Sequence, residues 1–489
     1  MYTLLISIAL LVLGYFLYGS FIERVVRPDL VRKTPAYTKA DGVDYVAMPT
    51  WKVFMIQFLN IAGTGPIFGA ILGAKYGPAC YLWIVLGSIF GGAVHDYMAG
   101  MLSIKNGGVS LPTIVGDFLG KRVRNVMLAF TVFLLVLVGA VFIYSPAVIL
   151  GGMTGDGGTS AVMTWVGIVT VYYVIATLVP IDKIIGKIYP LFAFALIFMA
   201  VALLGCLLVK WPSGVPEIWD GLQNRNPSAG SIFPCMFISI ACGAISGFHA
   251  TQTPIMARCV KSETLGRPIF FGSMITEGIV ALVWAAVSSY FFFDGGMEAV
   301  GAASGQAPVV VTSVSKAWLG IAGGILAILG VVAAPITSGD TAFRSARLIV
   351  ADFFSYDQKP KMNRLFIGIP IFLTASALLW FNVAHEDGFN IIWRYFGWAN
   401  QALACISLWT ATAYLVRNAG GHRYMITMFP ASFMTAICVS YICIDKIGFN
   451  MPVEAAPNII FATLNGCIAL FYFLRFRYRR RLSGPESTE

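Results

Sequence analysis

Two long apolar runs in this chain are interrupted by glycine and proline, and that pairing limits the fold more than any other feature. The interruptions are Asn60-Ile-Ala-Gly-Thr-Gly-Pro66 and Ile240-Ala-Cys-Gly-Ala-Ile-Ser-Gly-Phe-His-Ala-Thr-Gln-Thr-Pro254. Glycine and proline loosen the helical hydrogen-bond ladder, and a bilayer tolerates free backbone groups only where protein or a watery cavity covers them. Each interruption is followed at nearly the same distance by a carboxylate inside an apolar run. Asp96 lies 33 residues after Gly63, and Glu277 lies 34 after Gly243. Paired breaks in two corresponding halves are the sequence pointer to a site at the bilayer midplane.

Composition makes the membrane reading secure. The chain has 489 residues, of which 58% are hydrophobic and 11% charged, against about 25% charged in a soluble domain. The net charge of +10 does not imply a nucleic-acid partner, because the basic residues cluster in short loops between apolar runs. Nine cysteines are scattered without a CxxC or His/Cys metal spacing, so they read as small buried hydrophobes, and no cofactor is expected. Residues 3–22 lack a basic start and a cleavage site and read as a retained helix.

About 20 apolar residues span the hydrocarbon core. The sequence predicts thirteen spans, near 3–22, 50–75, 79–104, 126–150, 161–181, 188–210, 231–256, 268–293, 319–343, 365–383, 390–416, 424–444 and 455–475. Basic loops alternate with bare ones along this series, which places the N-terminus outside and the C-terminus in the cytoplasm. Cytoplasmic segments hold Arg24 to Lys39, Lys105 to Arg124, Lys183 and Lys187, Arg258 to Arg267, Arg344 to Arg364, Arg417 and Arg423, and Arg475 to Arg481. Residues 296–317 read as an external insertion, with a Gly/Ala/Ser run over Gly301–Gly305 and a short helix over the outer mouth. The tail Ser483–Glu489 is too short for a soluble domain. Setting aside the first span and the last two (424–475) leaves two five-helix units, 50–210 and 231–416. They start on opposite sides, and each opens with a broken helix. This is the 5+5 inverted-repeat plan of the bacterial leucine transporter (LeuT) architecture, an all-α polytopic fold.

Three carboxylates fall inside spans: Asp96, Glu277 and Asp340. Each would cost about 2.5–3.5 kcal/mol at a helix centre, so each is expected to face a cavity or a partner. Asp340 precedes Arg344 by one turn, which also permits a local ion pair. His95 and His249 are either proton shuttles or structural histidines. Backbone N–H groups at a half-helix start attract anions, and the carbonyls opposite attract Na⁺ or protonated groups. Gly63, Thr64 and Gly65 on one side, with Gly243, Ser246, Gly247, His249 and Gln252 on the other, therefore suit a small carboxylate-bearing substrate. Close packing of glycines between membrane helices is the bland alternative. Thr337 and Ser338, in the eighth core span, either donate hydroxyls to a sodium ion as in LeuT-like proteins or bond their own backbone. Asn400 and Gln401, near the outer part of the tenth core span, either gate the site or contact substrate, or else bridge helices.

At these residues the chain resembles the carbon starvation protein A (CstA) family of bacterial inner-membrane transporters. The matching pieces are Asp41-Gly-Val-Asp-Tyr-Val46, Ile61-Ala-Gly-Thr-Gly-Pro-Ile67, Gly92-Ala-Val-His-Asp96, Ser246-Gly-Phe-His-Ala-Thr-Gln-Thr-Pro254 and Pro335-Ile-Thr-Ser-Gly-Asp-Thr-Ala-Phe-Arg-Ser-Ala-Arg347. The resemblance implies uptake of peptides or pyruvate when preferred carbon runs out, and membership of the amino acid–polyamine–organocation superfamily. The expectation is a secondary transporter driven by protons or sodium, with Asp96 or Glu277 as the coupling carboxylate and Asp340, Thr337 and Ser338 as further ion-coupling candidates. A nutrient sensor without coupled transport is the alternative from another class. No GxxxxGK[ST] points to ATP, and no nucleophile or metal constellation points to an enzyme.

Overall fold

The computed structural model describes residues 1–41, 45–154, 158–178, 185–227, 230–296, 305–354, 356, 361–385, 388–419 and 421–482. The middle of the Asp41–Val46 motif, most of the Gly301–Gly305 run, Lys183, Lys359 and the tail Ser483–Glu489 lie outside the described residues. Among the described residues there is no β-strand. That follows from the solvent, since a helix satisfies its own backbone in hydrocarbon whereas an open sheet edge cannot.

The helices are α1 (Tyr2–Val26), α2 (Thr50–Ala62), α3 (Gly65–Ala74), α4 (Ala79–Lys105), α5 (Leu111–Leu119), α6 (Lys121–Thr154), α7 (Thr159–Leu178), α8 (Ile185–Lys210), α9 (His249–Ala257), α10 (Glu263–Phe293), α11 (Ala307–Leu326), α12 (Ala333–Phe353), α13 (Lys361–Ala384), α14 (Gly388–Asn418), α15 (Met425–Ile444) and α16 (Ala456–Leu482). Ten helices among the described residues are long and apolar enough to cross a bilayer, or eleven when the bent pair α2–α3 counts as one span. The sequence expectation of thirteen also counted 231–256 and 390–416. The first is divided into short pieces, and α14 carries Arg394, Asn400, Gln401 and Arg417 among its apolar residues. The insertion before the ninth span ends in a helix, as α11 begins at Ala307 and swings at Gly320, where φ is +57°.

Both expected breaks are present. α2 stops at Ala62, Gly63 takes φ +49° and ψ −134°, and α3 leaves at 51° to α2. The positive φ is open to glycine and strained for other residues. In the second segment, short turns over Ile232–Met236, Phe237–Ser239 and Ala241–Ala244 end at an extended Ile245, and α9 restarts at His249. In α6 a proline is compensated and leaves the helix unbroken. Pro146 cannot bond the Phe142 carbonyl one turn back, and the Tyr173 hydroxyl of α7 reaches that oxygen at 3.0 Å while also lying 3.0 Å from the Pro335 carbonyl. One tyrosine thereby holds α6, α7 and α12 in register.

Candidate functional site

The two breaks pack directly on each other. A methyl group added at Gly65 would overlap the Cβ of Cys242, and one at Gly243 would stand 3.7 Å from the Pro66 Cα. This close approach needs a bare Cα at Gly65. The loosened backbone of the second segment is supported by neighbours. Ser88 of α4 donates to the Gly243 carbonyl at 3.2 Å, and Gln401 of α14 donates to the Ile245 carbonyl at 3.1 Å. The Ser246 hydroxyl accepts from the Phe248 N–H at 3.1 Å, and the Asn400 amide reaches Ser246 Oγ at 3.4 Å and Cys242 Sγ at 3.3 Å. Gly247 lies against the Asn400 carbonyl. Of the two roles open to Asn400 and Gln401 in the sequence, the structure has them bridging helices.

Asp96 is fully buried on α4 and fully engaged. The Gln57 amide of α2 donates to both of its oxygens, at 2.9 and 3.1 Å, and the Thr253 hydroxyl of α9 donates to Oδ1. Gln57 also reaches Thr253 Oγ1 at 2.9 Å. A single carboxylate thus joins the half-helix before the first break to the half-helix after the second. Gln57 was missed by sequence reasoning. Its signal was a lone amide three residues before Asn60 in an apolar run, which puts both on one helical face.

Glu277 is equally buried on α10, yet neither carboxylate oxygen has a hydrogen-bond partner. It lies within electrostatic range of both Asp96 and Cys242. The His95 and His249 rings face each other with centroids 5.0 Å apart, and His95 also faces the Ser246 backbone. Both ring nitrogens of His249 are buried without a partner. So are Gln57 Oε1, Asn60 Oδ1, Thr64 Oγ1 and Gln252 Oε1. Leaving a buried polar group unpaired costs about 1–3 kcal/mol, so this concentration of unused acceptors around the breaks marks a place built for a ligand or for water.

The remaining candidates divide. Ser338 of α12 donates to the Leu59 carbonyl at 3.3 Å, the same oxygen that accepts from the Gly63 N–H at 3.3 Å. It therefore belongs to the first break. The Thr337 hydroxyl instead bonds Ala334 of its own helix at 2.8 Å. Asp340 pairs with Arg344 at 3.6 Å, and Arg344 also caps the Ala176 carbonyl at 2.8 Å. This is the local pairing that the i,i+4 spacing allowed. Among the described residues no group of three or more His, Cys, Asp or Glu side chains is disposed to hold a metal ion.

Aromatic rings lie beside the breaks, with Phe142 against Gly63. Phe142 stands 6.0 Å from Phe248, which stands 5.9 Å from Phe396. Trp393 follows at 5.2 Å from Phe396, and Phe68 of α3 lies 5.9 Å from Trp393. These rings form one cluster that runs from Phe142 and Phe248 to Phe68 of α3.

A family model described as Carbon starvation protein CstA matches residues 1–156, 153–318 and 294–441. The peptide transporter CstA of Bacillus subtilis (strain 168) is 26% identical, over 95% of this chain and 93% of its own. The pyruvate/proton symporter BtsT of Escherichia coli (strain K12) is 25% identical, over 58% of this chain and 48% of its own. Among solved structures, the Eremococcus coleocola manganese transporter superposes with a TM-score of 0.58 at 12% identity, covering 90% of this chain and 99% of that one. MhsT in complex with L-phenylalanine superposes with a TM-score of 0.53 at 15% identity, covering 87% and 98%. Both neighbours have the LeuT fold, so the architecture expected from the two broken helices is the one this chain adopts.

Proposed function

The chain belongs to the carbon starvation protein CstA family, and on that footing we propose that it is a secondary active transporter. It imports peptides or pyruvate across the bacterial inner membrane during carbon starvation, by alternating access coupled to a proton or sodium gradient. Residues 50–210 and 231–416 form its two opposed five-helix repeats, 424–475 holds the extra C-terminal helices, the N-terminus lies outside and the C-terminus lies in the cytoplasm. The observation that carries this reading is the unpaired polar cluster at the contact of the breaks, with Glu277 bare at both oxygens.

The substrate carboxylate sits among Gly63, Thr64 and Gly65 and Gly243, Ser246 and Gly247, where broken-helix backbone presents N–H groups. His249 and Gln252 line the same space. Glu277 is the group that exchanges the coupling proton, because a buried acid with no hydrogen-bond donor on either oxygen depends on its occupant for charge balance. Asp96 instead fixes α2 to α9. Ser338 and the Leu59 carbonyl supply two oxygens for sodium if that is the coupling ion, and Thr337 and Asp340 lie beyond this group. The relatives support this reading, one being named a peptide transporter and the other a pyruvate/proton symporter.

The test is uptake by the purified protein in liposomes, with pyruvate and dipeptides as solutes and proton and sodium gradients imposed separately. Accumulation of at least one solute above its equilibrium level under one gradient is expected. Failure of every gradient to concentrate any of them overturns the reading.

A further inference from the structure

A second organised region lies away from the breaks, on the Lys/Arg-rich side where α1, α4 and α9 all end. α1 finishes at Val26, and Arg27 turns the chain with φ +53°. The segment that follows runs across the ends of the other two helices. Lys105, the last residue of α4, donates to the Val26 carbonyl at 2.9 Å, and Lys39 donates to the Gly107 carbonyl just beyond α4 at 2.8 Å. Just beyond α9, the Val260 carbonyl accepts from the buried Thr34 hydroxyl at 2.6 Å. Glu263, itself fully buried, accepts the Asp29 N–H at 2.9 Å and lies 3.5 Å from the Arg32 guanidinium. The Val31 and Arg32 N–H groups in turn hold the Asp29 carboxyl below the usual carboxylate range.

Two details show how this segment is fastened. Leu30 and Val31 are 81% and 89% exposed, so its apolar anchoring comes from the buried Pro35 and Ala36 and not from them. The contacts named above are polar, and the Arg32 side of the Glu263 ion pair is 50% exposed. An ion pair with one partner in solvent is individually weak and reversible. The helices it joins, moreover, are the two that carry Asp96 and Thr253, whose side chains are bonded inside the bundle. The nine residues from Asp96 to Lys105 make a lever of about 14 Å.

We propose that residues 27–39 form a strap with Glu263 as its keystone, which closes the Lys/Arg-rich side and must unclasp before α4 and α9 can part there. The proposal rests on the transporter reading of the breaks for its purpose, since release on this side requires those two helices to separate. Unclasping breaks the Glu263 contacts to Asp29 and Arg32 and the Thr34–Val260 bond, and frees the Asp96–Thr253 pair to open.

Cys259 lies under this region, 3% exposed, and gives the readout. In the detergent-solubilised protein, where both faces are open to reagent, a hydrophilic maleimide labels Cys259 slowly in the wild type. The Glu263→Gln variant is expected to label about tenfold faster, the effect of losing one charge-assisted contact, while Cys443 at the far end of α15 keeps its rate. Equal Cys259 rates in the two proteins, or a parallel rise at Cys443 that reports general loosening, would overturn the strap. A second variant, Thr34→Cys with Val260→Cys, ties the segment to the end of α9 once non-reducing electrophoresis shows that oxidation has cross-linked it. Uptake of pyruvate or dipeptide into proteoliposomes should then fall about tenfold or more and return on reduction. Undiminished uptake by the cross-linked protein also overturns the strap, because a static brace is indifferent to being fixed in place. If even the reduced protein takes up no solute, the transporter reading fails, and the labelling rates still decide whether the strap opens.

Discussion

The surroundings of Asp96 and of Glu277 are built from the same two broken helices and are chemically opposite. Around Asp96, donors from α2 and α9 converge on both oxygens. Around Glu277, no donor reaches either oxygen. An acid surrounded by donors is held rigid, and its removal takes away the acceptor those donors share. An acid with none has nothing to lose when it gains a proton or a ligand. The difference separates a group that ties helices together from one whose partner arrives from solution.

Removing Asp96 should have the largest effect. Asp96→Ala removes the acceptor shared by the Gln57 amide and the Thr253 hydroxyl, which keep only their bond to each other, and should cost about 1–3 kcal/mol, read as a fall in Tm of the detergent-solubilised protein. Glu277→Gln should do the reverse, leaving Tm unchanged or higher while gradient-driven accumulation drops about 5- to 150-fold. If Glu277→Gln destabilises the fold as much as Asp96→Ala does, the contrast between the two regions collapses.

The wall shared by both regions is tested by Gly65→Ala, which forces a methyl onto Cys242. An overpacking cost of about 1–3 kcal/mol is expected, whereas Gly167→Ala, with nothing within 4 Å of the added methyl, should be close to neutral. Equal Tm values for the two would mean that the breaks can shift apart freely. Ser338→Ala removes one bond to the Leu59 carbonyl and should cost only about 1 kcal/mol. If sodium drives uptake, however, this variant should raise the sodium concentration needed for half-maximal rate. Unaltered sodium dependence would place the ion elsewhere.

The smallest effect concerns a third carboxylate, in the loop between the two halves. Burial pushes the Glu217 carboxyl up, but hydrogen bonds from the Met1 ammonium and from the Thr3 hydroxyl and N–H outweigh it and hold the group below the usual carboxylate range. A carboxyl depressed in the folded state stabilises above its unfolded pKa, and the contribution fades as pH falls through the folded value. Acidification below the ordinary carboxylate range should therefore loosen α1, read as faster amide exchange at Thr3 and Leu4, and Glu217→Gln should abolish that pH dependence.

Much of this arrangement was legible in the residues. Gly63 and the Gly243–Gly247 stretch announced their breaks, because glycine and proline act on the local backbone. Asp96 and Glu277 stood out because a carboxylate in an apolar run is rare whatever surrounds it. Gln57 and Glu263 were not singled out. A glutamine in a membrane run and a glutamate in a loop are ordinary in one dimension, and they matter only through neighbours such as Thr253, 196 residues from Gln57, and Asp29, 234 residues from Glu263.

The sequence by itself determined that the chain lives in a bilayer, that two of its helices break, and which ionisable residues lie inside. Hydropathy and backbone stiffness are properties of short stretches. Only the tertiary structure decided which of two similarly spaced acids is satisfied and which is bare, that Asp340 is spoken for by Arg344, and that one segment after α1 ties the ends of α4 and α9. Hydrogen bonds have a reach of about 3 Å and a direction, so pairing is settled by where folding brings distant side chains.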